Sequence, residues 1–159
     1  MGEPTKNNTE RFLTFYLGSE CYGVNIAAVK EIIALMKTTH IPKSPPYLKG
    51  VMNLRGAIIP VVDLRARFGM EAVEATMHTA IVIIRIKEDN IGFVVDHVEE
   101  VCNATAEQIS EPTSFGSDVN ASYIKKMIRT EKQVIMVMDL ENIFSEEELS
   151  DLNQSAKTA

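Results

Sequence analysis

His40, His78 and His97 are the three histidines of the chain, and imidazole is the side chain best suited to moving a proton or holding a transition metal near neutral pH. They lie far apart in sequence, and none sits at a metal-ligand spacing. Cys21 and Cys102 are too few for a disulfide framework; both stand in apolar, strand-like surroundings and read as buried free thiols. No Gly-x-Ser-x-Gly elbow, Gly-x-x-x-x-Gly-Lys phosphate loop or Gly-x-Gly-x-x-Gly turn occurs. Asp63 and Asp96 each end an apolar run, where a carboxylate could serve as a general base. Aspartates at strand ends more often accept bonds from nearby backbone amides, and both are read that way. Glu146, Glu147 and Glu148 suit the first turn of a helix, where negative charge complements the macrodipole. Met136 and Met138 alternate along a strand and read as core filling. With no convergent set of reactive groups, the chain is expected to be no enzyme, with no catalytic residue, metal or cofactor. A small β-barrel enzyme or ligand-binding module is the remote alternative.

Charge narrows the partners. The net charge is −6 over 159 residues, and the basic residues are scattered, which disfavours nucleic acid and an anionic membrane surface. The opening MGEPTKNNTE is polar, without the apolar core of a signal peptide, and no run reaches the ~20 apolar residues of a membrane span. A cytoplasmic protein with a flexible tail over residues 1–10 is expected, followed by a folded unit over 11–154 and a frayed end over 155–159.

The elements follow from period. Leu13, Phe15 and Leu17 alternate as in a strand with one buried face; Gly18-Ser19-Glu20 reads as a turn and CYGVN as the returning strand. Asn25 is a candidate N-cap, and Ile26, Val29 and Ile33 recur at helical spacing, so IAAVKEIIAL predicts a short amphipathic helix. TTHIP reads as a short strand stopped by Pro42, and PKSPPYLKG as a loop. GVMNL and AIIPVVDL are strands; Pro60 favours an edge or bulge within the second. RARFG is a helical turn and MEAVEATMH a loop. TAIVIIRI and IGFVVDHV make a strand pair, ATAEQISEPTSFGSDVNAS is loop-like with one helical turn, and YIKKMIRT and QVIMVMDL form a hairpin closed by Glu131-Lys132. Ser145 and Glu148 have capping-box spacing ahead of a terminal helix docked by Leu149 and Leu152. Residues 22–32 and 91–101 align without gaps, Gly23 on Gly92, Val29 on Val98 and Glu31 on Glu100. Many short strands, few helices and this echo predict two similar small β lobes.

Within GVMNLRGAIIPVVDL, Asn53-Leu54-Arg55-Gly56 interrupts an apolar run. Gly56 permits a tight reversal. A guanidinium is costly to bury alone, so Arg55 is exposed at the turn or paired, with Glu31 as the candidate partner.

FLTFYLGSECYGVNI…VKEI, then IP…LKGVMNLRGAIIPVVDLRARFG, then IGFVVDHVEEV resembles, in that order, the CheW family of chemotaxis coupling proteins, from about Phe12 to Phe144. The resemblance implies a mainly β fold of two five-stranded SH3-like barrels side by side. It implies a free-standing, non-enzymatic adaptor that joins the cytoplasmic hairpin tips of chemoreceptors to the regulatory domain of the histidine kinase CheA, in arrays at the membrane but without direct membrane contact. The same role in a parallel pathway for surface motility or development is the alternative. On the family pattern, Ile26, Val29, Glu31 and Val98 are candidates for receptor binding. Glu31, Ile32 and Arg55 are candidates for kinase binding or for shaping that interface, with Asn53 and Gly56 forming the turn. A core role for Ile26, Val29 and Val98 and a solvated helix face for Glu31 are the plainer alternatives.

Overall fold

The computed structural model describes residues 9–112 and 121–158. Residues 1–8 of the expected tail and 113–120 of the expected loop lie outside them. The described strands are β1 (Glu10–Leu17), β2 (Glu20–Asn25), β3 (Val29–Ala34), β4 (Leu48–Leu54), β5 (Ala57–Asp63), β6 (Ala80–Ile86), β7 (Asp89–Val95), β8 (His97–Ala104), β9 (Ile109–Ser110), β10 (Ile124–Arg129) and β11 (Val134–Met138). Two helices, α1 (Leu64–Arg67) and α2 (Glu146–Thr158), complete them with two 3₁₀ turns. The fold is mainly β, and its two sheets run β8-β1-β2-β11-β10-β9 and β3-β6-β7-β5-β4, consistent with two SH3-like barrels.

The sheets have one plan. Replacing β1, β2, β3, β4 and β5 by β6, β7, β8, β10 and β11 converts one order into the other, with β9 left over. The parallel pair of each sheet obeys the same rule, β2 with β11 and β7 with β5. Each half also lends a strand to the other: β3 leaves the β1–β2 hairpin to pair with β6, and β8 leaves the β6–β7 hairpin to pair with β1. The echo marks this exchange. A Cβ on Gly23 would meet Ile135 Cγ2 at 3.0 Å, and one on Gly92 would meet Ile81 Cγ2 at 2.9 Å. Both glycines let a neighbouring strand's isoleucine fill the space above the backbone.

The central strands of each sheet are buried on both faces. Leu13, Phe15 and Leu17 enter a large apolar layer shared by the two sheets, while Phe12, on the opposite face of β1, joins Cys21, Ile128, Ile135 and Val137 in a cluster of its own. In the other sheet Val62, Val82, Ile84 and Phe93 face the shared layer, and Met52, Ile59, Val61, Ile81 and Ile83 form the separate cluster. The single buried face expected for the first strand is thus corrected to two. Cys21 is buried and Cys102 half-buried, both as free thiols, and burial pushes the Cys21 thiol up to about 11.

Several local expectations are also corrected. The helix over IAAVKEIIAL is a 3₁₀ turn, Ile26–Ala28, followed by β3. Asn25 does cap that turn, its side chain accepting from the Ala27 amide at 2.9 Å. The backbone then extends, because Val29, Ile32 and Ile33 are β-branched and gain a ladder against β6. The interval from Val29 to Ile33 fits a strand as well as a helix. Pro60 is on no edge strand: β5 lies between β4 and β7, but its ladder to β7 begins at Val61, so the missing amide is not needed there. TTHIP contributes one bridge, Thr39 to Val51, rather than a strand. Glu10 already belongs to β1, β9 falls in the expected loop, and α2 runs on to Thr158 beyond the expected end at 154. The capping box stands as read: the Ser145 amide donates to Glu148 Oε1 at 2.8 Å, and the Glu148 amide to Ser145 Oγ at 3.1 Å.

Candidate docking site

The β4–β5 hairpin turns on two residues, both with positive φ: Arg55 at 51° and Gly56 at 91°. Such a turn matches the twist of the strands it joins. The Asn53 side chain accepts from the Gly56 amide at 2.9 Å and holds the turn shut. A Cβ on Gly56 would meet nothing within 4 Å, so glycine serves backbone freedom there and not space. The turn projects Arg55 onto Glu31 of β3, and the two form an ion pair. In the sheet order β3 and β4 are the two ends, so this pair spans the seam where the barrel closes. The Thr39–Val51 bridge spans it as well, with backbone bonds of 2.8 and 2.9 Å. Arg55 is 66% exposed, which makes the pair worth at most about 1 kcal/mol of stability. Its contribution is to the shape and charge of the rim. Ile32, next to Glu31, is 44% exposed, a large apolar side chain presented to solvent beside a charged corner.

Ile26, Val29 and Val98 form a second group. All three are half-buried and pack against the shared apolar layer. Val29 lies opposite Ile84 on β6, and Val98 opposite Phe15 on β1, so each is the first residue of a crossing strand to seat on the layer between the barrels. One side of each residue is packed and the other is open, an arrangement that a core role and a groove role both allow. The candidate residues thus fall into two sets, Glu31, Ile32, Asn53, Arg55 and Gly56 at the seam, and Ile26, Val29 and Val98 along the joint.

Sequence reading missed the other barrel's counterpart of the seam. Val61-Val62-Asp63-Leu64 and Phe68 repeat as Val137-Met138-Asp139-Leu140 and Phe144, an echo visible in the sequence. It places Ile58 on Val134, and the first echo places Ile32 on Val101. All four are large apolar side chains left exposed. The charges do not repeat. The Arg55-Gly56 turn corresponds to Glu131-Lys132, and Glu31 to Glu100, so a carboxylate stands where the first barrel has its guanidinium.

The strand-end aspartates hold the frame. Asp63 caps α1 by accepting from the Arg65 and Ala66 amides. Asp96 accepts the Gly18 amide at 2.7 Å and the Arg65 guanidinium at 2.7 to 3.0 Å. Burial pushes the Asp96 carboxyl up, but the bonds from Arg65 and Gly18 outweigh it, and the group ends below its ordinary value. A depressed carboxylate contributes stability that is complete above its unfolded value and is lost as the pH falls through its folded value. Asp96→Asn is therefore expected to be less stable than the parent at pH 7, the difference closing as the pH drops below about 4. Urea denaturation across that range checks this; parallel curves would show that Asp96 is not the group responsible.

The description CheW-like domain fits residues 11–148, the span that the family model matches. The chain belongs to the CheW family. Among its relatives, the chemotaxis protein CheW of Klebsiella aerogenes is 34% identical over 149 residues, covering 94% of this chain and 90% of that protein. That of Treponema pallidum is 32% identical over 157 residues, covering 94% and 91%. A crystal structure of the scaffolding protein TtCheW from Thermoanaerobacter tengcongensis superposes with a TM-score of 0.81 at 29% identity, covering 87% of this chain and 94% of that one. The fold and the family read from the NLRG block and its flanks are thereby established. As a CheW-family chain it offers two kinds of surface, an apolar joint and a charged rim. Among its described residues no group of three or more His, Cys, Asp or Glu is placed to hold a metal, and no helix is long and apolar enough to cross a membrane.

Proposed function

We propose that this chain is a non-enzymatic chemotaxis scaffold that joins the cytoplasmic hairpin tip of a chemoreceptor to the regulatory domain of the histidine kinase CheA. It works in the cytoplasm, is recruited to receptor arrays, and has no nucleic-acid or direct membrane contact. The observation that carries the reading is the half-open row Ile26, Val29 and Val98 on the layer between the barrels. An apolar shelf of that kind receives the ridge of an amphipathic helix. The Glu31–Arg55 corner with exposed Ile32 is assigned to the kinase domain, because a charged rim beside an apolar residue sets register and partner choice. Small signalling contacts, under about 1,200 Å², are weak singly, and tethering in an array raises their effective concentration.

The test is a pull-down of the full chain with a receptor tip and, separately, with the CheA regulatory domain. Binding to both is expected; failure to bind either overturns the reading. Val29→Phe should cost at least tenfold in receptor affinity and leave the kinase contact and the melting temperature nearly unchanged. A large fall in stability would instead return Val29 to the core. For the rim, a double-mutant cycle with Glu31→Ala and Arg55→Ala, read on kinase activation, is expected to be non-additive. Strict additivity would uncouple the two residues.

A further inference from the structure

Helix α1 is one turn long, yet two of its four residues are arginines with dense contacts: Arg65 reaches the β7–β8 junction and, through Asp96, the β1–β2 turn of the other sheet, and Arg67 reaches the segment between β11 and α2 and the Tyr123 ring just before β10. It follows β5. Arg65 grips Asp96, at the point where the chain crosses from β7 to β8, and through it the Gly18 amide of the β1–β2 turn; its Nη1 donates to the Glu71 carbonyl at 2.8 Å. Arg67 reaches the segment beyond β11. Its Nε and Nη2 both donate to the Ile143 carbonyl, at 2.9 and 2.6 Å, and its Nη1 and Nη2 to the Glu148 carboxylate at 3.1 and 2.9 Å. The guanidinium carbon stands 4.8 Å from the Tyr47 and Tyr123 ring centres and 4.9 Å from that of Phe144. Only 10% of the Arg67 side chain is exposed. Its edge is used for hydrogen bonds and its surroundings for aromatic contact, which is the arrangement that offsets the cost of drying a charge.

The rest of the joint is mainly apolar, and apolar packing is non-directional. Two such layers can slide or rock on one another by small shears. Among the described residues, directional contacts between the two sheets outside the arginine clusters are few: the Asp96 amide donates to the Tyr16 carbonyl at 3.1 Å where β7 passes into β8, and helix α2, which follows β11 but packs on β5, is tied to β7 by Asn153 to Asp89 at 2.9 Å. The two arginine clusters are the dense ones, and they sit two residues apart on a single turn.

We propose that the arginine pair of α1 is a clamp that sets the angle between the two barrels, and with it the shape of the joint along which Ile26, Val29 and Val98 lie. Arg65 and Arg67 are positioning residues: neither belongs to the apolar row, and each acts by fixing the frame on which that row is mounted. The clamp is independent of which partner binds.

The experiment measures the angle without any partner. Spin labels go on the full chain at Arg85→Cys on β6 and Lys125→Cys on β10, both exposed and in different sheets, with Cys21→Ala and Cys102→Ser removing the native thiols. The clamped chain is expected to give one narrow distance distribution. Arg67→Lys keeps the charge but loses the planar fork; it should widen the distribution at least twofold, or shift it, while melting remains cooperative. Arg65→Lys should widen it too, and the double variant more than either. Glu148→Gln is the milder probe, since glutamine can still close the capping box; it should widen the distribution partway. Unchanged width in the folded variants would overturn the clamp, and if an arginine variant does not fold, unchanged width in Glu148→Gln alone would do so.

Discussion

Arg67→Ala is expected to lower the unfolding free energy by about 3 to 5 kcal/mol, the usual cost of removing one member of a largely buried, hydrogen-bonded ion pair. Three losses combine. The Ile143 carbonyl gives up both its Arg67 donors, the Glu148 carboxylate loses its cation, and the Tyr47, Tyr123 and Phe144 rings face a void. Glu148 is held below its ordinary value: burial pushes it up, and the Ser145 amide and Arg67 more than offset that. Without Arg67 the carboxylate keeps only its capping-box bonds. In a domain of this size the melting temperature should fall by roughly 10 °C. Urea denaturation at pH 7 checks the figure. A loss under about 1 kcal/mol would mean that the guanidinium behaves as an ordinary surface charge.

Gly50→Ala carries the second large effect. Gly50 has φ +149°, and an added Cβ would stand 2.4 Å from the Thr39 carbonyl oxygen and 2.8 Å from its carbon. The obstacle is backbone, so no rotamer relieves it. The Thr39–Val51 bridge that helps close the seam has to open, or β4 has to retreat. Overpacking and backbone strain together are expected to cost about 3 kcal/mol. Gly56→Ala is the matched control, because its Cβ meets nothing within 4 Å; only the left-handed backbone is penalised, by about 1 kcal/mol. Amide exchange adds a local readout: the Thr39 and Val51 amides, bonded across the seam, should lose protection in the Gly50 variant and keep it in the Gly56 variant. Equal losses in the two variants would show that space at Gly50 is not limiting.

How much of this could be read from sequence depends on whether the signal was local. The β4–β5 hairpin, the Ser145–Glu148 box and the Asp63 cap are fixed by residues within a few positions of one another, and each was legible. The segment after Asn25 was not. Val29 to Ile33 has an interval shared by helix and strand, and what decides it is β6, some fifty residues away. The Glu31–Arg55 pair follows from the cost of leaving a guanidinium buried and unpaired, which is a physical constraint rather than a pattern. Arg67 was passed over because RARFG looks like any polar helix end. Its aromatic cradle is assembled from Tyr47, Tyr123 and Phe144, which only the folded chain brings together. The second rim is hidden for a different reason: Asp63-Leu64 and Asp139-Leu140 align, but the turns they would bring into register, Arg55-Gly56 and Glu131-Lys132, share neither charge nor glycine.

The reciprocal loan of β3 and β8 has a consequence for how such a molecule can be cut and recombined. Every boundary that separates the halves in sequence severs a strand from the barrel that needs it. A fragment ending before β6 would carry β3 with no neighbour to pair with and would leave the β1–β2 hairpin without β8. Fusion, insertion and inheritance therefore have to treat the pair as one indivisible module. A mutation that weakens one barrel exposes an edge of the other, so a lesion in either is shared by both.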